Sequence, residues 1–420
     1  MSKRRYSTIN CKRVDWSALA REAAGQRVVF AVDVAKHAFV AAVQPASNQT
    51  RVRLTWTHPE QTGELLAGLE QLAAAGKLEV VMESSGVYGD ALRWQLHRRG
   101  IALYNVAAKR VHDSAELRDG VPSLHDAKAV ELIAWLHWEG CSRRWRMADE
   151  TRRALLAQSR RLRQAKRRAQ SERNRLEALL SRHWPEVTPM LGLHSAALHR
   201  LIATYGTPGP LLVLGAQARQ LMRAVGGRWL AEEKIEAVLA SARTTLGMPA
   251  TEAEAAQLRW QAEQVIAAQR EQRRAERLLV DTVPRAQRQP MHIQIGQVTT
   301  AVLLATQGDP KGYPSAASYC KGIGLNLKER SSGKHQGQLK ITKRGPSLAR
   351  HYLYFAALRL IAREPTVKRW FEIKTARPGA IKHKQVIELM RKLAKALWHH
   401  ANGHPFDVER LVNLNALPEA

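Results

Sequence analysis

The sequence predicts an α/β domain, then a long α-helical hairpin of coiled-coil type, then a mainly α-helical C-terminal domain. Three observations carry this prediction. Short β-branched apolar runs alternate with helical patterns, two long stretches lack Gly and Pro, and Gly-rich turns separate amphipathic helices near the end. We expect these domains at 1–148, 149–283 and 284–405, with a helical insert at 183–250 and a tail at 406–420.

The N-terminal third has the pattern of one sheet domain. The segment RVVFAVDVAKHAFVAAVQP contains two apolar runs around a short polar turn, which predicts two adjacent strands, and TRVRLTWTHP alternates like a third. A helical pattern over 60–75 leads to the apolar run LEVVMESSG, and the helical VYGDALRWQLHRRG leads to IALYNV. Adjacent strands followed by strand, helix and strand indicate an α/β sheet.

Two long helices are predicted over 149–182 and 251–279, because neither stretch contains a helix-breaking residue. They could pair with each other as an antiparallel hairpin or with copies in another subunit. The segment between them contains Gly, Pro and short apolar helical patches, which is the reason for placing a small helical insert there.

The chain has an unusually high net positive charge. It has 66 Lys and Arg against 37 Asp and Glu, a net charge of +29, which favours polyanionic partners such as nucleic acid or an acidic membrane surface. Residues 1–150 are almost neutral, whereas 151–182 and 334–400 are strongly basic. The candidate nucleic-acid contacts in the first basic stretch are Arg160, Arg161, Arg163, Lys166, Arg167 and Arg168.

The cysteines and the apolar runs limit the class of protein. Cys11, Cys141 and Cys320 lie far apart, which argues against a structural zinc site and a disulfide framework. No apolar stretch approaches the roughly 18 residues of a membrane span, and no apolar region follows the basic N-terminus. We expect a cytoplasmic protein that meets nucleic acid and no membrane.

Three acidic residues end or begin predicted elements of the α/β domain. Asp33 and Glu83 each end an apolar run, and Asp126 begins the helical pattern HDAKAVELIAWLHWEG. A carboxylate at the end of a buried strand is costly unless a cation or donor faces it. Any one of them alone could be an ordinary cap or turn residue. Together they suggest a carboxylate cage for a hard cation, Mg²⁺ or Mn²⁺.

A polar loop near the C-terminus, NLKERSSGKHQGQLKITKRG, offers a different chemistry. Ser331 and Ser332 lie beside Gly333 among cations that could stabilise charge on a phosphodiester, although Ser-Ser-Gly alone is more often a turn. The cations taken as nucleic-acid contacts are Arg330, Lys334, Lys340, Lys343 and Arg344. Upstream, HIQIGQVTTAVLLATQGDP is similar to the glycine turn and second helix of a helix-hairpin-helix, which presents backbone N–H groups to phosphate. The phosphate-loop pattern of ATP-driven enzymes is absent from the sequence.

The order of these segments resembles one family. AVDVAKHAFVAAV, VVMESSGVYGDAL, DGVPSLHDAKAVELIAWL, the basic helical hairpin, IGQVTTAVLLATQGDPKGYPSAASYCKGIGLNLKERSSG and ITKRG resemble the DEDD transposases with a RuvC-like N-terminal domain. That family includes the Piv DNA invertases and the bridge-RNA-guided insertion-sequence recombinases. The resemblance extends over 28–397.

The resemblance implies an RNase-H-like fold whose four acids bind Mg²⁺ and a C-terminal serine that forms a covalent phosphoserine with DNA. By motif, the first three acids fall on Asp33, Glu83 and Asp126, and the serine falls on Ser332, with Ser331 as the alternative. The fourth acid does not carry over, because Ala129 occupies its position. The acidic residues nearby are Asp113, Asp119 and Glu131.

The resemblance also implies partners: donor and target DNA, a structured noncoding guide RNA, and homodimers, bridged by the long helices, that assemble into a tetramer near the bacterial nucleoid. Two other functions stay open. The chain could be a non-catalytic nucleic-acid-binding derivative of a transposase, as Ala129 suggests, or a Mg²⁺-dependent RuvC-like nuclease without serine chemistry.

Overall fold

The computed structural model describes residues 6–45, 48–83, 86–284, 295–329 and 339–414. Contacts between residues divide the chain into two compact units, Met1–Ala148 and Asp149–Ala420.

The N-terminal unit contains a mixed sheet, seven-stranded within the residues that the structure describes. Its strands are β1 (Ile9–Asn10), β2 (Arg27–Asp33), β3 (Ala38–Pro45), β4 (Val52–Thr57), β5 (Lys77–Glu83), β6 (Ala102–Val106) and β7 (Arg143–Arg144). Their order across the sheet is β1-β4-β3-β2-β5-β6-β7. The central strands β2, β5 and β6 are parallel, while β3 runs antiparallel to both β2 and β4. A mixed α/β domain is therefore confirmed.

Helices cover both faces of this sheet. They are α1 (Trp16–Glu22), α2 (Thr62–Ala75), α3 (Asp90–Arg98), α4 (Ala108–Asp113), α5 (Ala115–Asp119) and α6 (Asp126–Trp138). Successive side chains of a strand point to opposite faces. Accordingly, Val28, Phe30 and Val32 of β2 join one apolar core with α2 and α3, and Val29 and Ala31 join a second core with α6.

The predicted strands of this unit are confirmed. The two runs around the polar turn are β2 and β3, the alternating segment contains β4, and the helical pattern over 60–75 contains α2. The sequence did not indicate β1 and β7, because two residues are too few to show alternation.

Two long helices dominate the first part of the second unit, α7 (Glu150–His183) and α12 (Glu252–Thr282). Leu155 and Leu162 at the start of α7 pack with Leu279 at the end of α12, whereas Leu176 near the end of α7 packs with Leu258. The helices therefore pair antiparallel within one chain, as one of the two interpretations predicted. Between them lie α8 (Val187–Leu191), α9 (Ala196–Tyr205), α10 (Gly215–Gly226) and α11 (Glu232–Thr244).

The rest of this unit is mainly helical in the described residues. It contains α13 (Gln297–Gln307), α14 (Ala316–Ile323), β8 (Leu327–Lys328), β9 (Lys340–Ile341), α15 (Ser347–Arg363), α16 (Pro365–Ala376), α17 (Lys382–Ala401) and α18 (Val408–Leu411). An apolar core around Tyr319, Leu353, Trp370 and Leu393 joins the helices, and Leu411 of α18 packs into it. Among the described residues, no helix combines the length and the apolar character that a membrane crossing requires.

Candidate active site

Asp33 and Glu83 end two neighbouring parallel strands. Asp33 is the last residue of β2 and Glu83 the last of β5, and these strands are in register up to the pair Val32 and Met82. By strand alternation, Asp33 shares a face with Ala31, and Glu83 shares it with Val81. Both carboxylates therefore lie at the same edge of the sheet and on the face that α6 covers.

Helix α6 brings the third acid to this edge. It packs on β2, β3 and β5, and Asp126 is its first residue. Burial and, after it, the negative charges of Glu83 and Asp126 together raise the pKa of Asp33 to about 6. The structure thus brings together the three acids that the sequence singled out, close enough for their charges to interact.

The chemistry of this cluster fits a divalent cation. Carboxylate oxygens are the ligands that Mg²⁺ takes, and mutual repulsion of three acids is the electrostatic state that a bound cation relieves. Within the described ranges, however, no three His, Cys, Asp or Glu side chains are placed as a closed set of metal ligands. The cluster therefore has the oxygen donors that a cation site needs, but these donors are not arranged as a closed set of metal ligands.

The acids near the missing fourth position are engaged elsewhere. Ala129 itself is buried on α6, one helical turn after Asp126. Asp119 accepts a hydrogen bond from the buried Lys128 ammonium at 2.6 Å, Asp113 pairs with Lys109 at 2.9 Å, and both pairings lower the pKa of the carboxyl group. The carboxylate of Glu131 pairs with the guanidinium of Arg53. These three acids thus have structural partners.

Arg93 is a residue of this site that the sequence did not reveal. Its side chain on α3 is almost fully buried, and its Nη2 donates a hydrogen bond to the backbone carbonyl of Glu83 at 2.9 Å. Its Nη1 donates to Asp90 at 3.0 Å. Arg93 therefore fixes the backbone at the end of β5, where Glu83 is the last residue. An arginine on an amphipathic helix gives no sequence signal for this role, since such residues are usually exposed.

A buried polar network fixes the other end of α6. His137 Nε2 lies 3.0 Å from the Glu79 carboxylate on β5, and Arg27 on β2 pairs with the same carboxylate at 2.7 Å. Burial would raise the pKa of Glu79, but the hydrogen bonds from Arg27 and His137 hold it below its ordinary value. Because α6 is tied to β2 and β5 at its C-terminal end, the position of Asp126 at its N-terminal end is fixed relative to both strands.

The serine loop of the sequence analysis is only partly described. Ser331, Ser332, Arg330 and Lys334 lie outside the described residues. The strands on either side of them, β8 and β9, pair antiparallel, with Leu327 opposite Ile341 and Lys328 opposite Lys340.

A basic cleft of about 750 Å³ lies between this strand pair and α17. Lys340 and Lys343 line it, whereas Arg344 is not part of its lining, and the role of all three in nucleic-acid binding stays a prediction. The other cations of the cleft, which the sequence analysis did not select, are Lys328, Lys384, Arg391, Lys392 and Lys395. Lys328 lies on β8, beside the loop in sequence. The other four cations come from α17 and are distant in sequence from the loop, so only the fold brings them to the cleft.

The six basic residues selected on α7 fall into two groups. The exposed ones are Arg160, Arg163, Arg167 and Arg168. Arg161 pairs with Glu271 of α12 at 2.7 Å, and Lys166 is half-buried against His351 and the ring of Tyr352. The exposed group is free of ion pairs within the described part of the chain and can meet a polyanion.

Two family models match the chain. One, described as a transposase of the IS116/IS110/IS902 family, matches residues 293–372. The other, a DEDD transposase model of the IS110 type, matches residues 30–185 and so contains Asp33, Glu83 and Asp126. No curated protein matches the chain.

Proposed function

The two matches support the IS110 family of transposases and a DNA transposase or recombinase activity, and from this premise we propose that the chain is a site-specific recombinase of an insertion sequence. It cuts and rejoins DNA through a phosphoserine intermediate, with Mg²⁺ or Mn²⁺ held by carboxylates of a RuvC-like domain. The observation that carries the proposal is the convergence of Asp33, Glu83 and Asp126 at one edge of the sheet.

In this proposal the three carboxylates hold the cation, and transposases of the DEDD type generally use divalent ions. When bound, the ion would polarise the scissile phosphate. Arg93 and the network of Glu79, His137 and Arg27 keep the acids in place. The charge of Asp33 is costly in the absence of a cation, because burial and the neighbouring negative charges raise its pKa.

The proposed nucleophile is Ser332. Its oxygen forms a bond to phosphorus while the bond between phosphorus and the leaving deoxyribose oxygen breaks, and the serine proton ends on that leaving hydroxyl. Attack by the hydroxyl of the recombining strand then reverses these changes and frees the serine. One phosphoester replaces another at each step, so no nucleotide cofactor is needed, in accord with the absent phosphate loop.

The basic cleft between β8, β9 and α17 and the exposed arginines of α7 are the proposed contacts for phosphate backbones. Such contacts follow backbone and shape rather than base sequence. A structured guide RNA that pairs with the DNA would supply the sequence choice, and homodimers joining into a tetramer would bring donor and target together. Ala129 favours one other function, a nucleic-acid-binding derivative of a transposase without catalysis.

The test is a recombination assay on a donor and target pair with Mg²⁺. Asp33→Asn, Glu83→Gln and Ser332→Ala should each abolish recombination, and Ser331→Ala should not. Asp113→Asn is the matched control, because Asp113 is an exposed acid of the same domain paired with Lys109. Cleavage that survives Ser332→Ala would replace the proposal by a metal nuclease. An inactive wild type that still binds nucleic acid would replace it by the non-catalytic derivative.

A further inference from the structure

A second cavity, of about 900 Å³, lies among α7, α12, α13 and α15, and it shares no lining residue with the basic cleft. Arg173 of α7 lines this cavity and is only 9% exposed. Its Nη2 donates to Gln170 at 2.8 Å, and its Nε has no hydrogen-bond partner. In the described part of the chain, no carboxylate lies within ion-pair distance of it. A buried guanidinium without a counter-charge is costly, so its presence points to an anion that occupies the cavity.

The N-terminus of α13 opens on the same cavity. Gly296 is the N-cap residue, and no side chain caps the helix. Gly296, Gln297, Val298 and Thr299 line the cavity, so the N–H groups of the first turn, which have no partner inside the helix, face the same space as Arg173. A helix N-terminus and a buried arginine together form an anion site that suits phosphate.

The one carboxylate in the lining is already engaged. Glu276 accepts hydrogen bonds from the Tyr352 hydroxyl at 2.6 Å and from Gln272 at 3.1 Å. Lys166 adds a second cation beside Tyr352, with its Nζ 4.5 Å from the ring centre. The cavity therefore stays positive in spite of Glu276.

An exposed aromatic ring lies in the same lining. Phe355 is 45% exposed, and its ring packs edge-on against His351 with 4.9 Å between ring centres. An exposed ring beside a phosphate site offers a stacking surface for a base that is not paired, whereas a base inside a duplex has no free face.

We propose that this cavity binds one nucleotide of an unpaired nucleic-acid strand, with the phosphate held by Arg173 and the first turn of α13 and the base stacked on Phe355. The inference rests on the proposed function only in that the protein handles nucleic acid. It adds a single-strand site whose described lining contains none of the three acids.

The test measures binding in EDTA, so that no catalysis intervenes, with a fluorescent single-stranded oligonucleotide made both as DNA and as RNA and with the corresponding duplex. Arg173→Met should weaken single-strand binding about tenfold, the effect of one lost charge-assisted hydrogen bond. The melting temperature of the Arg173→Met variant should be unchanged or higher than that of wild type, because an unpaired buried charge is removed. Phe355→Ala, a change at an exposed site, should also weaken single-strand binding about tenfold. The oligonucleotide that binds with the higher affinity, DNA or RNA, identifies which nucleic acid the cavity takes.

The controls are Arg273→Met, which removes an exposed charge of α12 outside the cavity, and Trp229→Ala, which removes an exposed ring in the insert. Both should leave the affinity within about twofold of wild type, the effect of a distant charge at moderate salt. The inference fails if Arg173→Met and Arg273→Met bind equally well, if Arg173→Met lowers the melting temperature, or if duplex binding falls as much as single-strand binding. Binding is measured in EDTA without catalysis, so a failed recombination assay would leave this result standing.

Discussion

The ammonium of Lys128 and the carboxylate of Asp119 form an ion pair at 2.6 Å, with the lysine side chain only 4% exposed. The same ammonium donates to the carbonyl of Val121 at 2.7 Å. Lys128 therefore ties the segment before α6 to the helix that carries Asp126. Asp119 acts as the counter-charge of a buried lysine, which is a different role from that of a metal ligand.

We predict that Asp119→Asn lowers the free energy of unfolding, because it leaves a buried ammonium without its carboxylate. The loss should be the same in EDTA and in Mg²⁺, as measured by urea unfolding. Asp113→Asn, the same change at an exposed acid, should lower the free energy of unfolding less than Asp119→Asn does. A destabilisation seen only in Mg²⁺ would instead assign Asp119 to the cation.

Ala129→Asp should restore a fourth carboxylate one turn after Asp126. Without a cation the added charge meets three acids and should lower the melting temperature. With Mg²⁺ the melting temperature should rise by more than in wild type, since a bound cation relieves the repulsion. Ala129→Asn is the control for side-chain size. Equal Mg²⁺ responses in the aspartate and asparagine variants would contradict the placement of the fourth acid at residue 129.

Arg93→Met should disturb Glu83 through the backbone. The change removes the hydrogen bond to the Glu83 carbonyl and leaves that carbonyl without this donor, at an expected cost of about 2 kcal/mol in the free energy of unfolding. Mg²⁺ should then raise the melting temperature less than it does in wild type. Arg98→Met, an exposed change on the same helix, should alter neither quantity. An undiminished Mg²⁺ response in Arg93→Met would show that Arg93 is structural only.

The stability of the protein should rise between about pH 8 and pH 10 because of Lys166. Burial lowers the pKa of this lysine to about 8, from an ordinary value near 10.5. Above pH 8 the folded protein has released the proton while the unfolded chain still binds it, so the free energy of unfolding increases with pH across this window.

Lys166→Met should remove this rise and should be more stable than wild type at pH 7, where the charged lysine is costly. Denaturant unfolding at pH 7, 8, 9 and 10 would measure the free energy of unfolding of both proteins, with Lys234→Met, a change at an exposed lysine, as control. A parallel pH dependence in wild type and Lys166→Met would contradict the assignment.

Much of the N-terminal unit could be predicted from the sequence because its signals are local. Alternation revealed β2, β3 and β4, and the ends of apolar runs marked Asp33 and Glu83. What escaped prediction depends on contacts between side chains of different elements. The ion pair of Lys128 with Asp119 exists because α6 meets the end of α5, and the hydrogen bond from Arg93 to Glu83 exists because α3 meets the end of β5.

The same distinction holds in the second unit. Lack of Gly and Pro revealed α7 and α12, but the choice between pairing within the chain and pairing between subunits required the packing of Leu155 with Leu279. The unpaired state of Arg173 also depends on its surroundings, because an arginine on a basic helix has the same sequence pattern whether it is exposed or buried.

Asp33 and Glu83 lie on the same face of the sheet, and this limits which insertions and deletions the gene can tolerate. One codon gained inside β5 ahead of Met82 would move Met82 to the position of Glu83 among the acids and would turn the glutamate to the opposite face of the strand. Length changes in the connections outside the strands preserve this parity, so natural variation in length is expected there and not within β2 or β5.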